Sequence, residues 1–195
     1  MPTNKANKVK FGLKNVHYAL LTTGDDGAVS FETPVAIPGA VNLSLDAQGE
    51  PSTFYADDIA YYVTAANDGY SGTLEIALIP DSFRKDVLQD TEDQTDKVLI
   101  ENVSAESKPF ALLFEFAGDQ KAVRHVLYNC SATRPGLTGA TTTNTKEPTT
   151  ESMTITASPL SNGNVKAKTT PDTPDAKYNA WYQSVWQPAE ADSGG

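Results

Sequence analysis

Hydrophobic and polar residues alternate with a period of two along much of this chain, the spacing of strands that bury one face. Residues 40–47 show it most clearly, with Val41, Leu43 and Leu45 inward and Asn42, Ser44 and Asp46 outward. Residues 16–22 predict an earlier strand, Gly24-Asp25-Asp26-Gly27 a turn, and residues 28–33 its hairpin partner. Residues 52–56 and 59–65 predict a further pair, rich in Tyr55, Tyr61 and Tyr62. Residues 70–79 put Leu74, Ile76 and Leu78 on one face. Later, residues 151–157 turn Met153 and Ile155 inward, and Asn162-Gly163 signals a turn with residues 164–170 as its return strand.

The stretch from Pro109 to Ala132 differs, being apolar on both faces. Phe110, Leu112, Phe114 and Phe116 share one face of a first strand, and Gly118, Asp119 and Gln120 supply a turn. The second strand sets Val123, His125 and Leu127 against Arg124, Val126 and Tyr128. Such a hairpin belongs inside a larger β structure.

The period changes twice. After Pro80, Asp81 or Ser82 caps a short helix carrying Phe83, Val87 and Leu88. Asp175 caps a last helix on which Tyr178, Trp181, Tyr182 and Val185 form a stripe. That stripe, with Trp186, either docks on the subunit's own core, the reading slightly favoured, or anchors a neighbour. Residues 90–108 are a polar segment interrupted by Val98, Leu99 and Ile100, a short edge strand. Residues 134–150 are a Thr-rich loop, longer than a compact domain needs. The expected architecture is a mainly β sandwich or barrel of antiparallel strands flanked by one or two short helices. It forms one domain over residues 11–187, between a polar leader (1–10) and a flexible tail (188–195).

Composition narrows the function. The 195 residues are 39% hydrophobic, enough for a real core. Twenty-five Asp and Glu against 15 Lys and Arg give a net charge of -10, which argues against ordinary nucleic-acid binding. The single Cys130 excludes an internal disulfide and fits a reducing compartment. The basic leader has no apolar segment behind it, so no secretory signal is expected, and no apolar run approaches the ~20 residues that span a bilayer.

Catalytic chemistry is sparse. His17 and His125 both fall inside predicted strands, where a histidine tucked into the sheet is the simpler reading, and no Cys or His stands at metal-ligand spacing. Cys130 reads as a small core residue, with His125 on the opposite face of the same strand. The pairs Asp25-Asp26 and Asp57-Asp58 sit in turns, where adjacent acids are usually solvated. Gly24-Asp25-Asp26-Gly27 is too short for an EF-hand loop, and no GxSxG, P-loop or dinucleotide fingerprint occurs. The expectation is a protein that is not an enzyme and has no cofactor or metal.

The order of segments is more specific than any one of them. KVKFGLKNVHYALLT, FYADDIAYYV, NDGYSGTLEIALIPDSFRKDVL, KPFALLFEF, RHVLYNCSATRP, VKAKTT and WYQSVW follow one another between Lys8 and Trp186. In this order the chain resembles the major tail proteins, the tail tube subunits, of long non-contractile-tailed phages of Gram-positive bacteria. The Thr-rich loop and the last residues match least. The resemblance implies a tail tube fold, six copies in a ring, and rings stacked around a tape measure protein with DNA passing later down the lumen. It also implies contact with tail-terminating and baseplate or tail-tip proteins, no membrane partner, assembly in the host cytoplasm and a final place in the virion tail. No catalytic residue is carried over. Ring closure and stacking need complementary patches. The loops supply candidates in Gly136, Leu137, Thr138 and Thr142, and in Val98, Leu99 and Ile100, with Trp181 and Trp186 on the last helix. An acidic subunit further suggests a negatively charged lumen past which DNA slides. The competing readings are a monomeric β-sandwich module that binds carbohydrate or acts as an adhesin, and a small hydrolase, which the two histidines do not visibly support.

Overall fold

In the computed structural model, which describes residues 6–25, 27–141 and 148–189, the doubly apolar hairpin lies at the centre of a nine-stranded antiparallel sheet. Its strands are β10 (Phe110–Gly118) and β11 (Val123–Ala132). On one side β10 pairs with β1 (Lys10–Thr23), whose outer edge carries β2 (Val29–Phe31) and β3 (Val35–Ala36). On the other side follow β12 (Glu151–Ser158), β7 (Gly69–Ile76) and β4 (Ala40–Gln48). Two small two-stranded sheets stand apart, β5 (Pro51–Ala56) with β6 (Ile59–Ala65), and β8 (Thr91–Glu92) with β9 (Leu99–Ile100). The fold is mainly β with two short helices, α1 (Asp81–Asp86) and α2 (Asp175–Asn179).

The sheet rolls until β1 and β4, at opposite ends of the pairing order, touch. Inside the roll Val16, Tyr18, Leu74, Ile76, Phe110, Leu112, Met153 and Ile155 form the main core. α1 closes one opening. Its Phe83, with Val87 and Leu88 just beyond the helix, is buried as the sequence predicts, and the Phe83 ring meets Tyr18 and Phe110 edge-on at 5.1 and 5.5 Å. The Tyr18 hydroxyl donates to Asp86 Oδ2 at 2.6 Å and so ties the helix to β1. The helix start is set by Pro80, with no side-chain cap from Asp81 or Ser82.

The other face of β10–β11 buries Ala111, Leu113, Val126 and Tyr128 beneath the carboxy-terminal segment. Trp181 is 3% exposed and its indole N–H donates to the His125 carbonyl at 3.3 Å. Charge pins the same segment. Buried Glu115 accepts from Arg124 Nε at 3.0 Å, Asn15 Nδ2 at 2.8 Å and the Tyr182 hydroxyl at 3.3 Å. Arg124 in turn lies 3.8 Å over the Tyr178 ring and donates to the Tyr178 carbonyl. Because three donors converge on the two carboxylate oxygens, much of the desolvation of this ion pair is compensated. The helical stripe is real as a surface but not as one helix. α2 ends at Asn179, and Trp181 and Gln183 continue in tighter turns through bonds to the carbonyls three residues back.

Four sequence expectations are corrected. Val41 is 53% exposed, because a bulge between Ala40 and Asn42 turns Ala40 inward in its place. β7 stops at Ile76, so Leu78 is 69% exposed and Ile79 is buried instead. The first strand starts at Lys10 instead of Val16, and just before it Asn7 Oδ1 accepts from the Gln120 and Lys121 amides and Asp119 accepts from the Lys8 amide. Finally, β13 (Lys166–Lys168) is not a hairpin partner of β12. Asn129 pairs with Ser158 and Leu127 with Lys166, so β12 and β13 run along one edge of β11 as a single course interrupted by residues 159–165.

If the carboxy-terminal cover is part of the core, Trp181→Ala should lower subunit stability by about 3–5 kcal/mol. Phe54→Ala, on an exposed strand, should change it by less than ~0.5 kcal/mol. Urea unfolding of both variants measures the contrast; equal effects would contradict this division.

Candidate assembly surface

β5 and β6 leave the sheet between Gln48 and Gly69 and form a hairpin with no core of its own. All of β6 is exposed, and on β5 only Thr53 and Ala56 are half-buried. Six large apolar side chains stand in solvent along it, Phe54, Tyr55, Ile59, Tyr61, Tyr62 and Val63, each more than half exposed. Phe54 lies across from Tyr62, and the next residues along, Tyr55 and Val63, fall on the opposite face. Both faces are therefore apolar, as in the central hairpin, but neither is covered. Asp57 and Asp58 make the tip, both at positive φ (51° and 61°), a backbone that aspartate tolerates better than most residues. At the base, Gly49 (φ 134°) and Gly69 (φ 112°) let the chain swing out of the sheet; a Cβ would lie 2.2 Å from the Ala66 carbonyl oxygen and 1.9 Å from that of Ala157.

Near that base the roll has an open mouth. A cavity of about 270 Å³ is lined by Leu43, Leu45, Tyr70, Phe114, Phe116 and Leu127, with Lys10 and Lys166 at its rim. His125 stacks on Phe114 at 5.2 Å and meets Phe116 edge-on at 5.5 Å. Burial, reinforced by Lys168, Lys166 and Lys10, pulls its pKa down to about 4, so the ring is neutral at pH 7. Cys130 is fully buried and its thiol is pushed up to about 12. No group of three or more His, Cys, Asp or Glu among the described residues is placed to hold a metal ion, and no helix of the described residues is long and apolar enough to cross a membrane.

The sequence-selected residues do not converge on one patch. Val98 (56% exposed) and Ile100 (49%) stand on the outer side of the β8–β9 ribbon, with Leu99 half-buried. Gly136, Leu137 and Thr138 are exposed in the loop after β11, Leu137 almost completely. Thr142 lies outside the described residues. Trp181 is a core residue of the subunit, so it presents no surface to a neighbour; Trp186, half-buried, stacks on it at 6.3 Å. Sequence reasoning passed over the β5–β6 hairpin as a site. The signal was there: its tyrosines occur on both faces of a strand pair whose neighbours in sequence already form a complete sheet.

Family models give no match to this chain, and neither do curated proteins. Among solved structures, it is similar to a chain from the cryo-EM structure of the anti-feeding prophage cap, the tube-terminating cap. The two superpose with a TM-score of 0.44 and 10% sequence identity, over 87% of this chain and 98% of that chain.

The neutral His125 makes stability pH-dependent. Its folded pKa lies below the unfolded value of 6.5, so between about 4 and 6.5 the unfolded chain binds the extra proton. Stability contributed by the neutral ring should therefore fall as pH drops from 6.5 to about 4. In His125→Phe, the slope of urea midpoint against pH across that window should flatten; an unchanged slope would assign the effect elsewhere.

Proposed function

We propose that the chain is a structural subunit of a phage tail that polymerises with copies of itself into the tail tube, a virion component and not an enzyme. The exposed β5–β6 hairpin is the observation that carries this reading. An isolated two-stranded sheet is at best marginally stable in water, and six exposed large apolar residues on both faces make it a liability to a lone monomer. Both properties become assets when neighbours cover the two faces. Strand edges unpaired among the described residues, at β4 and β6, are likewise closed by assembly. The order of segments that resembles tail tube subunits points the same way. Hexameric rings, a tape measure protein in the lumen, terminating and tail-tip proteins at the ends, and DNA passing through make up the rest of the reading.

A carbohydrate-binding module would also display tyrosines. However, a sugar platform needs one flat aromatic face, whereas this hairpin is apolar on both.

Replacing Phe54, Tyr55, Ile59, Tyr61, Tyr62 and Val63 by Ser or Thr should leave a folded subunit that forms neither rings nor tubes. Negative-stain microscopy and sedimentation velocity at high concentration decide the matter. Wild-type protein that stays monomeric at every concentration, or that binds oligosaccharide through these tyrosines, would overturn the tube reading. Deleting residues 136–148 should likewise weaken assembly while preserving the fold; normal tubes would remove that loop from the contact.

A further inference from the structure

In a chain of net charge -10, three lysines that form no ion pair among the described residues gather around His125. The ion pairs of the described residues engage Arg84, Lys85, Lys97, Lys121, Arg124 and Arg134, and none engages Lys10, Lys166 or Lys168. Instead, Lys10 Nζ lies 4.7 Å over the Phe116 ring, and Lys166 Nζ lies 4.2 Å over Tyr70 and bonds its hydroxyl. Lys168 pairs with His125 across the β11–β13 ladder. Lys10 and Lys166 line the open mouth of the roll, whose floor is Leu43, Leu45, Phe114 and Phe116, and Lys168 lies beside it next to His125. The site therefore asks for a ligand with an acidic end and an apolar aromatic body. The subunit's own β5–β6 hairpin has that composition, with Asp57 and Asp58 at the tip and Phe54, Tyr55, Ile59 and Tyr61 beside it, yet it is exposed along its length and does not fill its own mouth.

We propose that this lysine-rimmed mouth is the socket for the β5–β6 hairpin of a second copy of the chain, the Asp57-Asp58 tip meeting Lys10, Lys166 and Lys168 and the adjoining aromatic side chains covering the apolar floor. The assignment rests on the self-assembly reading and goes beyond it by naming the receiving surface. Position supports it as well as charge. The hairpin leaves the sheet at Gln48 and Gly69, beside the socket residues Leu45 and Tyr70, and its tip lies a full strand length beyond that base, so it reaches away from its own socket and is free to enter another. A contact between two different patches is head-to-tail, the arrangement that closes rings or continues a stack. Opposite charges there also steer encounter, which makes the contact sensitive to salt.

Charge reversal tests the pairing. Asp57→Lys/Asp58→Lys and Lys166→Glu/Lys168→Glu should each leave the core folded by urea unfolding and each reduce the assembled fraction at least tenfold by sedimentation velocity; Asp57→Asn/Asp58→Asn, which suits the positive φ of the tip, serves as a second knob variant with the same expected loss. Combined in one chain, the four charge reversals should restore assembly. Lys10→Glu/Lys168→Glu serves as a second socket variant that keeps the Lys166–Tyr70 bond, in case the first does not fold. Socket variants that assemble like wild type overturn the assignment, as does a folded quadruple variant that stays monomeric. The self-assembly reading is judged separately by the Ser/Thr-substituted hairpin: if that variant fails to assemble while the socket variants succeed, only the socket is wrong.

Discussion

Because Phe110, Leu112 and Phe114 alternate with Ala111 and Leu113 along β10, and Leu127 and Cys130 with Val126 and Tyr128 along β11, neither face of the central hairpin tolerates water. Everything else in the subunit can be read as a response to that constraint. One face is enclosed when the sheet curls on itself and α1 fills the opening. On the other, Leu21, Val29 and Phe31 flank the buried cluster, and a short segment after α2 covers it with Trp181, Tyr182, Val185 and Trp186. Each fully buried side chain of this size contributes on the order of 1.5–3 kcal/mol, so the cover matters to folding although it is mostly turns.

The charged groups divide into two populations with different work. Glu115 and Arg124 are withdrawn from water, and around them Asn15, Tyr178 and Tyr182 fix where the carboxy-terminal segment sits. Arg84 with Glu151 and Arg134 with Asp90 fasten α1 and the following loop to the sheet at 3.1 and 2.8 Å. The lysines at the mouth and the aspartates at the hairpin tip have no such engagement among the described residues. Internal ion pairs define one subunit, while the unpaired charges face outward.

Much of the fold was legible because period-two alternation reports directly which faces are buried. The central hairpin and the inward Met153 and Ile155 follow from it, and the buried trio Phe83, Val87 and Leu88 follows from the helical spacing after Pro80. What was not legible depends on pairing over long separations. The bulge that expels Val41 is set by β7, and the role of residues 166–168 is set by β11, neither of which a local pattern records. The β5–β6 hairpin was legible as strands but not as an arm, since alternation says that a face is apolar without saying what lies against it. The cation cluster was invisible for the same reason: Lys10 and Lys166 are 156 positions apart and meet only through β10 and β11.

The interrupted course of β12 and β13 has a bearing on how the molecule can vary. Residues 159–165 depart from β11 and return to it, with Leu160 and Val165 buried at the base and the Leu160 amide donating to the Asn164 carbonyl at 2.9 Å. The excursion is thus anchored at its neck, and its tip at Asn162 and Gly163 is exposed. Extra chain inserted at the tip disturbs no ladder bond, and each doubling of its length adds only ~0.6 kcal/mol of closure entropy. The fold therefore carries a built-in graft point, a place where a peptide or a whole domain can be spliced in and displayed once per subunit, at regular intervals along any polymer the subunits form.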